Sequence, residues 1–109
     1  MISEGWLKSR LAESPTPLRD GLRRSLAELD TGTELSQALL GAACGVLESA
    51  RDRLQRREAA FDLLVADGLL TLACEAAAYS DPQALVDTCR AMGPGGALGH
   101  VAERWAARS

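Results

Sequence analysis

From Phe61 to Tyr79 the chain is apolar or small at nearly every position, with only Asp62, Asp67, Thr71 and Glu75 interrupting. On a helical wheel Phe61, Val65, Leu69, Leu72 and Ala76 share one face, and Leu63, Leu70, Ala73 and Ala77 lie about a third of a turn away. A helix apolar almost all round must be covered on more than one side, by its own bundle or by a second subunit. That requirement constrains this chain more than any other feature.

The rest of the composition agrees with helices. The apolar residues are mostly Leu and Ala, with one Ile, four Val and 4% aromatics, whereas strands favour β-branched and aromatic side chains. The 109 residues suffice for one core and are too few for a conventional two-domain enzyme. The expectation is a single all-α domain over residues 1–109, a bundle of five or six helices.

Helix ends are marked along the chain. Ser14-Pro15-Thr16-Pro17 ends one segment and opens a helix carrying Leu18, Leu22, Leu26 and Leu29. Asp30-Thr31-Gly32 closes it, and Thr31 with Glu34 has the capping-box spacing for the next helix. Asp81-Pro82 pairs a cap with a proline at the first helical position, and Gly93-Pro94-Gly95-Gly96 precedes a final helix near Ala97 to Ala107.

The centre is expected to be two helices, residues 33–54 and 57–79, folded as a hairpin. The apolar stripe through Leu35, Leu39, Ala42, Val46 and Ala50 lapses at Arg53 and Arg57, inside the charged stretch 51–58. The alternative, one unbroken helix from 33 to 79, would be about 70 Å long. A short echo, Leu39-Leu40-Gly41-Ala42-Ala43-Cys44 against Leu69-Leu70-Thr71-Leu72-Ala73-Cys74, is ascribed to chance in a Leu/Ala-rich chain.

The net charge of −3 does not favour polyanions as partners. The charge is uneven, with nine basic and eight acidic residues in 1–57 against three and seven in 58–109. Lys8 is the only lysine, a bacterial-like composition. Met1-Ile2-Ser3-Glu4 lacks the basic-then-apolar pattern of a secretory leader, and no uncharged run reaches the roughly 20 residues of a membrane span. Cytoplasmic location is the expectation.

No constellation fixes a reaction, and the protein is expected not to be an enzyme, with no cofactor and no metal. Cys44, Cys74 and Cys89 form no CxxC pair and are expected to be reduced and buried. A hairpin turning near Gln55 would leave Cys44 and Cys74 about 10 Å out of register along the axis. His100 is the only histidine. Glu103 and Arg104 follow it where histidine phosphotransfer bundles place a lysine and then a glycine, so that role is not expected.

Three surfaces remain as candidates. Gly41 and Gly45 lie four apart inside a helix, where each costs about 1 kcal/mol against Ala, and they would permit close helix approach. With Leu63, Leu70 and Ala77 they are the expected interface of a homodimer or of a complex with another protein. Thr71, Glu75 and Tyr79 are the polar groups of an alternative small-molecule site. Arg51, Arg53, Arg56 and Arg57 form the densest basic patch, the less favoured nucleic-acid reading, because Asp52 and Glu58 partly neutralise it.

Overall fold

A computed structural model of the chain describes residues 4–29 and 34–108. It is an all-helical bundle of six helices: α1 (Glu4–Ala12), α2 (Thr16–Ala27), α3 (Leu35–Arg51), α4 (Arg57–Tyr79), α5 (Pro82–Met92) and α6 (Ala97–Arg108). No helix among the described residues is long and apolar enough to cross a membrane.

The central stretch is a hairpin, not one long helix. Residues 52–56 form a tight connection in which Arg53 N–H donates to the Ala50 carbonyl and Arg56 N–H to that of Arg53, each at 2.9 Å. The Arg53 guanidinium then reaches across the turn, donating to Ser49 Oγ at 3.0 Å and to Asp62 Oδ2 at 2.5 Å. This clasp ties the end of α3 to the second turn of α4, and the charges that broke the apolar stripe close the hairpin.

Small residues line the α3–α4 seam. Leu39, Ala43 and Ala50 of α3 are fully buried, as are Leu69, Ala73 and Ala77 of α4. Alanine at these positions lets two helix backbones approach closely while still removing apolar surface from water. The echoed sequences occupy matching places, since Leu39 and Leu69, and likewise Ala43 and Ala73, are each 0% exposed.

The flanking helices dock on this pair through few, specific contacts. α2 crosses α4 where Gly21 faces Phe61 and Val65 and where Gly68 faces Leu22. A Cβ on Gly21 would stand 2.6 Å from Val65 Cγ2, so the helices meet there only because that carbon is missing. α1 packs Trp6 edge-on to Tyr79, with ring centroids 6.3 Å apart. Arg10 of α1 bridges Glu13 at 2.6 Å and Glu75 at 2.7 Å. The orphan carbonyls ending α1 are met by one side chain, as Arg19 donates to Leu11, Ala12 and Ser14 oxygens at 3.0–3.2 Å.

α6 is held to α3 by Arg104, whose Nε and Nη2 both reach Glu48 Oε1, at 2.6 and 2.5 Å. The hydrogen bond from Arg104 draws the Glu48 carboxyl below its ordinary range. The connection into α6 is tight: Gly95 has φ +85°, and a Cβ on Gly96 would stand 2.3 Å from the Arg90 carbonyl oxygen.

One helix start differs from the expectation and one agrees with it. α3 begins at Leu35, with Glu34 itself as the N-cap, accepting from Gln37 N–H at 3.3 Å and from the buried Ser36 hydroxyl. A Thr31-led box would need Glu34 inside the helix, and Asp30, Thr31 and Gly32 lie outside the described residues. At Asp81 the expected cap forms, its carboxylate accepting from Ala84 N–H at 2.8 Å with Pro82 opening α5.

The glycines yield a paired prediction. Gly21→Ala should destabilise the fold by about 1–3 kcal/mol through overpacking against Val65. Gly45→Ala, where an added Cβ meets nothing within 4 Å, should stabilise it by up to about 1 kcal/mol. Chemical denaturation of both variants checks the two signs. A second prediction concerns pH. The Glu48 pKa is lower in the folded state than in the unfolded chain, so its ion pair contributes fully above the unfolded glutamate value, about 4.3. That contribution is lost as pH falls through the depressed folded-state value. Melting curves across the acid range should therefore fall more steeply for the parent protein than for Glu48→Gln.

Candidate functional site

The five residues expected to form one interface do not share a surface. Gly41 and Gly45 are exposed on α3, and among the described residues a Cβ added at either would meet nothing within 4 Å. They therefore do not serve close helix approach within the bundle. Leu63 is exposed on the flank of α4, Leu70 is partly buried against the core, and Ala77 is 0% exposed inside it. A buried Ala77 cannot meet a second chain in this fold, so that part of the expected interface is corrected. Its place is taken up because α3, α5 and α2 pack directly on α4, with Trp6 and Arg10 of α1 reaching it at Tyr79 and Glu75, and together they cover more of α4 than the apolar pattern alone reveals.

The alternative ligand residues are also committed elsewhere. The Thr71 hydroxyl donates to its own helix at the Asp67 carbonyl, 2.9 Å away. Glu75 is paired with Arg10, and Tyr79 stands 69% exposed beside Trp6. The nearest cleft, lined by Arg10, Leu11, Leu18, Leu22, Gly68 and Thr71 among others, holds about 130 Å³. Pockets for small organic ligands run to about 300–1,000 Å³, so this cleft suits a few waters and not such a molecule.

The arginine patch is half neutralised. Arg53 is ion-paired with Asp62, and Arg51 lies 3.8 Å from both Glu48 and Asp52. Only Arg56 and Arg57 of the four are exposed. A phosphate-tracking face needs several free cations together, and this turn does not present them. His100 lies on the surface 3.6 Å from Glu103.

The cysteines are less buried than their apolar helical context suggests. Cys44 is partly buried, but Cys74 and Cys89 are exposed. The physical reason lies in α5, which turns only Ala84, Thr88, Ala91 and Met92 towards the bundle and leaves Leu85, Val86 and Cys89 outside. An apolar helical context says that a residue could be buried. It does not say which arc of the helix will be.

One face of α4 does emerge whole. Arg57, Ala60, Leu64, Asp67 and Thr71 follow at alternating spacings of three and four, and every one is exposed. Leu64 is 57% exposed, and Leu63 at 39% and Leu54 at 42% lie towards the same hairpin end. Among the described residues neither Arg57 nor Asp67 belongs to an ion pair of the chain. The sequence carried a signal for this face. Apart from Asp62 and Glu75, the polar interruptions of the apolar run fall on it, and Leu64 is absent from both apolar stripes.

Comparisons with protein-family models, with curated proteins and with solved structures gave no match.

Proposed function

We propose that the protein is a non-enzymatic helical interaction module that self-associates through the outer face of α4. The observation that carries this reading is the order of residues along that face. Let a second copy lie antiparallel on α4, with the two-fold axis at position 62. Leu64 of each copy then falls over Ala60 of the other, large upon small. Arg57 of each falls opposite Asp67 of the other, so the two unpaired charges answer one another twice by symmetry.

The contact is short. Positions 57–67 span about 15 Å of helix, and Leu54 and Leu63 extend it only at its edges. Stable complexes bury about 800 Å² per partner, roughly 12% of this chain's 6691 Å² surface, and so short a face buries less. The dimer is therefore of the transient, concentration-dependent kind. Free thiols suit a reducing compartment, and we place the module in the cytoplasm.

Sedimentation velocity across a concentration series tests the proposal. The parent chain should shift from monomer to dimer as concentration rises. Leu64→Arg should weaken association about tenfold or more while leaving the helical circular dichroism unchanged, because Leu64 packs against nothing essential to the core. Arg57→Asp alone should weaken the dimer, and Arg57→Asp with Asp67→Arg should restore it. A chain that stays monomeric throughout, or a double variant no better than the single, overturns the antiparallel arrangement.

A further inference from the structure

Between the end of α2 and the middle of α3 the bundle leaves a cleft of about 390 Å³. From α3 it takes Ala42, Gly45, Val46 and Ser49, which follow at spacings that put them on one side of that helix. Ser25 and Glu28 of α2 complete the lining. Gly45 keeps the space open, since a Cβ built there meets nothing within 4 Å. The volume falls in the range of pockets for small organic molecules, about 300–1,000 Å³, unlike the cleft of about 130 Å³ beside Thr71. Ala42, Gly45 and Ser49 carry at most two side-chain heavy atoms each, so the α3 side is smooth and suits a planar ring.

We propose that this cleft binds a small organic cation, a protonated primary amine carried on a planar apolar body. Glu28 supplies the charge. It is the residue at which α2 ends, so its carboxylate sits at the negative end of the helix dipole. Two sources of negative potential in one place disfavour each other and favour a cation between them. Among the described residues Glu28 belongs to no ion pair, not even with Arg24 one turn earlier. The cation that touches the lining is Arg53, which donates to Ser49 Oγ, and Asp62 already answers its charge.

The apolar body supplies what an exposed ammonium–carboxylate pair lacks. Such a pair contributes little in water. A ring laid against Ala42, Gly45 and Val46 removes apolar surface from water and lowers the dielectric around the pair. An anion of the same shape meets repulsion from Glu28. A neutral isostere keeps the ring contact and loses the charge-assisted hydrogen bond. The cleft shares no residue with the outer face of α4, so the two proposals stand or fall separately.

The test is titration of the isotope-labelled full chain with 2-phenylethylamine, followed through amide chemical shifts. 2-Phenylethanol and phenylacetate serve as the neutral and anionic counterparts. The amine should give saturable shifts centred on residues 25–28 and 42–49, with a Kd of about 1 mM because one ring underfills the cleft. Both counterparts should bind about tenfold more weakly or worse, and so should the amine with Glu28→Gln. Gly45→Met, which puts a side chain into the cleft, should lose the shifts while keeping the parent circular dichroism, and Leu64→Arg should bind as the parent does. Glu28 is exposed, so its variant decides the matter even if Gly45→Met disturbs the fold. Shifts scattered over the surface, an alcohol that binds as well as the amine, or binding that survives Glu28→Gln overturns the assignment.

Discussion

Everything in this fold depends on the approach of α3 to α4. The two helices meet through alanines and two fully buried leucines, Leu39 and Leu69, so their backbones lie close. That closeness costs apolar area per residue, because alanine removes little surface from water compared with leucine. The deficit is met from the sides. Leu11, Leu22, Leu40, Val65 and Leu72 complete the core, with Trp6, Leu18, Leu26, Phe61 and Met92 packed around them. The small helices are thus required to finish the core, and α1 and α6 are each fastened to the central pair by an ion pair at the periphery. Such half-exposed ion pairs individually contribute little, about 0–1 kcal/mol. Their role is to fix the angle at which an apolar face is laid down.

The hairpin was legible in the sequence, and for a sound reason. The stripe of apolar residues needs a continuous partner, and it lapses where Arg53 and Arg57 appear. The structure places the break there, with Arg53 serving as the clasp to Asp62. Asp81-Pro82 was legible because capping is a local interaction between residues three apart. The start of α3 was off because two carboxylate roles fit the same residue, and Glu34 acts as the cap instead of answering one.

Glycines and cysteines were illegible for a different reason. A glycine inside a helix reports that something is unusual, but not whether a neighbour fills the space. Gly41 and Gly45, spaced four apart, drew attention, yet Gly21 and Gly68 are the positions where α2 and α4 press together. Their partners, Val65, Phe61 and Leu22, are 40 or more residues away in sequence, which local spacing cannot register. The cysteines pose the same difficulty. Cys74 and Cys89 share their helices with buried residues, yet both lie on arcs that the bundle leaves in solvent. The candidate surface therefore follows from what the bundle leaves uncovered, the outer face of α4.

Amide hydrogen exchange followed residue by residue reads out the α3–α4 approach itself. The slowest exchange is expected in the facing stretches of α3 and α4, around Leu39–Ala50 and Val65–Ala77, because these open only when the hairpin separates. Residues 52–56, held by isolated turn hydrogen bonds, should exchange orders of magnitude faster than either. Uninterrupted strong protection from α3 through 52–56 into α4 would mean a single continuous helix. It would contradict the hairpin on which the packing of every other helix rests.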